Sequence, residues 1–139
     1  MNRCADGVAA DSILVILTWG EQMQRDDDLA RQILLDIEAL PDPLYEFGLY
    51  YGTAQEDRIR YYHLRLLSDA GFLEESGKTG GMWRITNAGH DFLSLTRKPE
   101  TWERAKAAAR GLSGFSLGIL RDIALGYVRQ ELTRLGVTL

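Results

Sequence analysis

A chain of 139 residues, 45% hydrophobic and 26% charged, has the size and composition of one folded domain, or of one domain with a helical extension. A single cysteine, Cys4, excludes an internal disulfide framework and a cysteine zinc site, and fits a reducing, cytoplasmic setting. No apolar run approaches the about 20 residues that span a bilayer, and the longest, Ile13 to Trp19, is too short and lacks a cleavage site, so neither a membrane partner nor a secretory signal is expected.

The net charge of −4 conceals an asymmetry. Residues 23–96 hold 7 Lys/Arg against 13 Asp/Glu, a net of −6, whereas residues 97–139 hold 8 against 4, a net of +4. A DNA-binding domain gathers positive charge near its reading helix, because most of its affinity comes from neutralised phosphates. The first of these two parts carries the opposite sign.

Residues 1–22 show no clear amphipathic period and read as an N-terminal arm or a non-native upstream segment. Met23 opens a natural start, and Trp19-Gly20-Glu21 back-translates to a codon run that can hold a purine-rich ribosome-binding sequence just before it. Asp26 to Leu40 is expected to be a helix, with acidic residues at its positive end and Leu29, Ile33, Ile37 and Leu40 in a stripe beside Leu34. Pro41 and Pro43 end it, and the aromatic stretch Leu44 to Tyr51 is expected as a strand or hairpin arm.

Gln55 to Ala70 reads as the second helix. At about 100° per residue, Ile59, His63, Leu66 and Ala70 form its buried stripe, flanked by Tyr62 and Leu67, and Arg58, Tyr61, Leu64, Arg65 and Ser68 face away. Phe72 to Glu75 and Met82 to Thr86 are hairpin strands around the glycine-rich Gly77-Lys78-Thr79-Gly80-Gly81. Thr86 caps a helix from Asn87 to Arg97, Pro99 opens another that ends at Gly111, and Ser116 caps a last helix reaching Leu135, with Gly136 behind it.

A helix that ends in Ala70-Gly71 and passes straight into an apolar strand, a glycine-rich tip and a returning strand is how a winged-helix unit leaves its main helix. The expected class is therefore α+β and mostly helical. It comprises a winged-helix-like domain over 23–97 with a truncated helix-turn-helix, and a C-terminal helical extension over 98–139 serving as a dimerisation element. The truncation follows from spacing: a complete helix-turn-helix with its reading helix takes roughly 25 residues, but only 18 lie between Gly52 and Gly71.

From Met23 onward the motif order resembles a bacterial and phage family of unknown function, DUF 2513. The matching residues are Arg25-Asp26-x-Asp28-Leu29, Ile33-Leu34, Ile37-Glu38, Tyr62-His63-x-x-Leu66-Leu67-x-x-Ala70-Gly71, Thr86-x-x-Gly89-His90-x-Phe92-Leu93 and Thr101-Trp102. Ser94 departs from the pattern, which has an acidic residue there. The resemblance implies a winged-helix-like fold and a phage or prophage origin, and no activity or functional residue.

Four constellations carry the functional expectations. Arg58, Tyr61 and Arg65 on the second helix, with Lys78 and Arg84 on the wing, are candidates for contact with double-stranded DNA, although Glu56, Asp57 and Asp69 on that helix suit an ordinary solvated face. His63, His90 and Asp91 would make a metal or catalytic site only by converging, and packing roles are expected instead, so no metal, cofactor or catalytic residue is assigned. Leu120, Ile123, Tyr127, Val128 and Leu132 give the last helix more apolar surface than one-sided packing needs, which predicts a homodimer. Arg97, Lys98, Arg104, Lys106 and Arg110 either meet phosphates or pair with the acidic half, and pairing is the expected outcome. The expected function is a non-enzymatic, DNA-binding transcriptional regulator of phage or prophage type. The alternative is a protein-binding module on the same scaffold, such as a phage inhibitor of a host defence factor.

Overall fold

Helix α1 (Asp27–Glu38) begins where Asp26 turns its carboxylate onto the Leu29 amide (3.2 Å), with Asp27 and Asp28 in the first turn against the positive end of the dipole. The computed structural model describes residues 23–50, 53–112 and 116–137; the reading of residues 1–22 falls outside them. Strand β1 (Tyr45–Glu46), helix α2 (Gln55–Asp69), strands β2 (Leu73–Ser76) and β3 (Met82–Ile85), and helices α3 (Asn87–Thr96), α4 (Pro99–Arg110) and α5 (Leu117–Arg134) follow. The fold is α+β and mostly helical, with a small antiparallel sheet in the order β1-β3-β2.

Local chemistry sets most boundaries. Gly71, at φ +83°, closes α2 in a left-handed turn in which the Phe72 N–H reaches back to the Leu67 carbonyl (2.9 Å). Thr86 caps α3 through Gly89 N–H, and Ser116 caps α5 through Ile119 N–H. Gly89 is dictated by packing: a Cβ there would press on the Phe72 carbonyl oxygen and lie 2.8 Å from Ile85 Cγ1. The aromatic stretch after Pro43 gives only a two-residue strand. Phe47 N–H still bonds the Gly81 carbonyl (2.8 Å), but the Phe47 carbonyl is taken by the Trp83 indole N–H (2.8 Å), and the ladder ends.

One apolar cluster runs through all these elements. It holds Ile33, Leu34 and Ile37 of α1, Leu64 and Leu67 of α2, Trp83 of β3, Phe92 and Leu93 of α3, Trp102 of α4, and Leu120 and Ala124 of α5. It therefore extends across the expected boundary at residue 97. Three positions differ from the sequence expectation, one of them Ala70, which was placed in the buried stripe of α2 and is exposed. Leu64, placed on the outward side of α2, is fully buried, because α2 is covered on two sides, by α1 and by the hairpin. Leu40 lies past the end of α1 and is 41% exposed.

His63 is also fully buried. Its Nδ1 lies 2.8 Å from the Ile59 carbonyl and its Nε2 accepts the Asp26 N–H at 2.8 Å, so the hydrogen sits on Nδ1. The ring thus ties the start of α1 to the middle of α2. His63→Ala is expected to lower the unfolding free energy by about 2–4 kcal/mol, from a cavity plus an orphaned amide, as read by urea denaturation. Gly89→Ala is expected to cost about 1–3 kcal/mol through overpacking in the same measurement, although alanine favours helix elsewhere.

Candidate functional site

The five residues expected to meet DNA do not share one free face. Tyr61 is half-buried, its ring edge-on to Trp83 at 6.0 Å. The Arg65 guanidinium is held by Glu75 of β2, whose other oxygen accepts the Gly81 N–H at 2.9 Å, so that pair pins the hairpin turn to α2. Arg84 pairs with its cross-strand neighbour Glu74 at 2.6 Å. Side chains alternate along a strand, so Arg84 and Glu74 stand on the face opposite Trp83 and Glu75. Arg58 and Lys78 are exposed and form no ion pair among the described residues; Arg58 donates to the Thr53 carbonyl at 3.3 Å. Arg60, passed over in the sequence reading, bonds the Tyr45 hydroxyl (3.0 Å) and lies over the Tyr45 and Phe47 rings.

Charge on this face is balanced. Glu56, Asp57 and Asp69 match the three arginines of α2, and Glu74 and Glu75 match Lys78 and Arg84 on the hairpin. The connection from α1 to α2 tips the balance. Residues 39–57 contain Asp42, Glu46, Glu56 and Asp57 and no Lys or Arg. Among the described residues between α1 and α2 there is no helix, only β1 and a loop that runs past the hairpin tip. Two grooves of about 310 and 460 Å³ flank that loop and share Glu46, Gly48 and Tyr50 in their walls. Sequence reading marked this stretch as aromatic and missed that it also lacks cations, which was the available signal.

The two histidines have separate partners. His63 is engaged as described, and the exposed His90 sits 3.2 Å from Glu38. Among the described residues, no three of His, Cys, Asp and Glu are grouped so as to hold a metal ion, and no helix is long and apolar enough to cross a membrane.

The basic C-terminal half meets the acidic first helix. Asp28 Oδ1 accepts from Lys106 Nζ and from the Trp102 indole, both at 2.7 Å, and Glu38 accepts from Arg97 at 2.7 Å. The Lys106 hydrogen bond, with the indole, holds the Asp28 carboxyl below the usual carboxylate range, and Arg97, joined by His90, does the same for Glu38. Arg31 donates to the carbonyls of Thr96 and Arg97, both at 3.0 Å, and caps the end of α3. On α5, Leu120 is fully buried in the chain's own core and Ile123 packs against it. Tyr127 lies under the Arg104 guanidinium at 4.1 Å. Val128 and Leu132 line a groove with Leu95, Lys98 and Thr101.

Fold and surface together define a small, mostly helical α+β chain with several surface grooves and many paired charges. A family model described as "Hypothetical protein (DUF2513)" matches residues 24–116, and the chain belongs to that uncharacterised family. No curated protein and no solved structure matches it.

Because the Asp28 pKa is depressed on folding, its contribution is complete above the ordinary value of 3.8 and is lost as pH falls through the lower folded value. The melting-temperature gap between the native chain and Asp28→Asn is therefore expected to be constant near neutrality and to close as the buffer is taken below about pH 4. Glu75→Ala is expected to speed hydrogen exchange of the Gly81 amide while leaving Leu67 protected.

Proposed function

We propose that this chain is a protein-binding module on a winged-helix-like scaffold. The element order α1, β1, α2, β2, β3 and the sheet order β1-β3-β2 support the scaffold, with α2 in the position of a reading helix and Gly77 to Gly81 as the wing tip. The charge of that face carries the choice of partner. Arg65 and Arg84 are matched by Glu75 and Glu74, and the approach along residues 39–57 carries carboxylates alone. A duplex there would gain almost nothing from phosphate neutralisation, which supplies the sequence-independent part of DNA affinity.

The second reading, a DNA-binding regulator of phage or prophage type, is favoured by one observation: Arg58 and Lys78 are exposed without ion pairs among the described residues. In both readings the chain binds rather than catalyses, and acts in the cytoplasm. A homodimer would use the C-terminal half of α5, where Val128 and Leu132 are only half-buried and Leu135 is exposed.

Retention on mixed genomic DNA fragments across a salt series separates the two readings. Protein binding predicts no retention even at about 50 mM salt. Retention that falls steeply with salt, and disappears in the double variant Arg58→Glu with Lys78→Glu without a change in melting temperature, overturns it in favour of the regulator.

A further inference from the structure

We infer that the paired grooves beside Tyr50 receive a basic, apolar segment of a partner protein, an aliphatic or aromatic anchor flanked by Lys or Arg. This deepens the protein-binding reading and rests on it. Tyr50 is 72% exposed and Leu49 43% exposed, the former on the ridge between two grooves and the latter in the wall of one. Among the described residues the other Phe, Tyr and Trp side chains are buried or half-buried, and an exposed tyrosine between concavities is the kind of residue that carries binding energy at protein interfaces.

The floor is built rather than incidental. Phe47 is fixed by its N–H to the Gly81 carbonyl (2.8 Å) and by the Trp83 indole to its own carbonyl (2.8 Å). Tyr50 N–H donates to Thr53 Oγ1 (2.9 Å) and Thr53 N–H returns to the Tyr50 carbonyl (3.1 Å), so the ridge is held in place before a partner arrives. A preorganised surface loses less entropy on binding.

Charge selects the occupant. Glu46 borders both grooves and Asp57 borders one. Neither carboxylate is in an ion pair among the described residues; residues 39–57 hold no cation, and the flanking Arg58 and Arg60 are turned to the Thr53 carbonyl and the Tyr45 hydroxyl. A cationic segment completes these groups, whereas an acidic peptide or a nucleic acid is repelled. A second copy could supply such a segment from its own basic half, residues 97–139 with net +4, and the experiment treats that as a competing outcome.

The test selects random linear peptides from a display library on the full chain. Recovered peptides are then measured by fluorescence anisotropy against the native chain, Tyr50→Ala, and the double variant Glu46→Gln with Asp57→Asn. The expected result is enrichment of Lys/Arg around an apolar anchor. Affinity should fall about tenfold or more in Tyr50→Ala, and its salt dependence should weaken in the carboxylate variant, with melting temperatures unchanged. Recovering no peptides, peptides without basic residues, or affinity that survives Tyr50→Ala overturns the site. So does self-association of the free chain, by sedimentation, that Tyr50→Ala abolishes, since the groove then holds a second copy. Peptides that bind elsewhere overturn the site and leave the protein-binding reading standing; salt-sensitive DNA retention overturns the reading itself.

Discussion

Helix α1 is held by polar contacts at four positions, and the rest of the fold is arranged around satisfying them. At its start, Asp26 N–H is accepted by the buried His63 of α2. Two residues on, Asp28 takes the Trp102 indole and the Lys106 ammonium of α4. Arg31 closes the last carbonyls of α3, and Glu38 engages Arg97 and His90. Between these, Ile33, Leu34 and Ile37 fill the core. A buried indole N–H or imidazole without a partner is costly, so these bonds prescribe the register of α1 on its three neighbours. Exposed ion pairs add little by themselves; their effect here is to choose which way the helix lies.

This arrangement gives physical content to the motifs that carry the family resemblance. Asp26 is a cap whose own amide meets His63. Asp28 and Trp102 are partners across 74 positions, and Trp102 packs edge-on to Phe92 at 5.9 Å. Gly89 lets α3 approach the Phe72 carbonyl, and Gly71 ends α2 in a left-handed turn. Each of these residues is engaged in fold geometry, so the motifs specify a scaffold, and function has to be sought in the surface between them.

Helix caps, glycine punctuation and the apolar stripe of α1 were legible in the sequence, because capping and periodicity are local. The side of α2 was not. Leu64 looks outward if one face is buried, and only the packing of both α1 and the hairpin on α2 brings it inside. Arg65 and Arg84 read as a joint basic surface because strand alternation and the Glu75–Gly81 bond are properties of the paired hairpin. The opposite charges of residues 23–96 and 97–139 were visible as a count, whereas which carboxylate meets which cation depends on how α1 crosses α4. The last helix is a similar case: its apolar residues are plain in sequence, yet Leu120 is fully buried internally while Val128 and Leu132 are only partly covered.

Among the described residues no helix stands between α1 and α2, and this bears most on the proposed function. A positioning helix there would cover the hairpin base and bring backbone amides and cations toward a phosphate chain. This chain fills the place with a loop whose Phe47 N–H and carbonyl are taken by Gly81 and the Trp83 indole, leaving Leu49 and Tyr50 outward. Such an acidic, aromatic surface disfavours phosphates and suits a cationic protein segment, and on that ground we propose a protein partner rather than DNA.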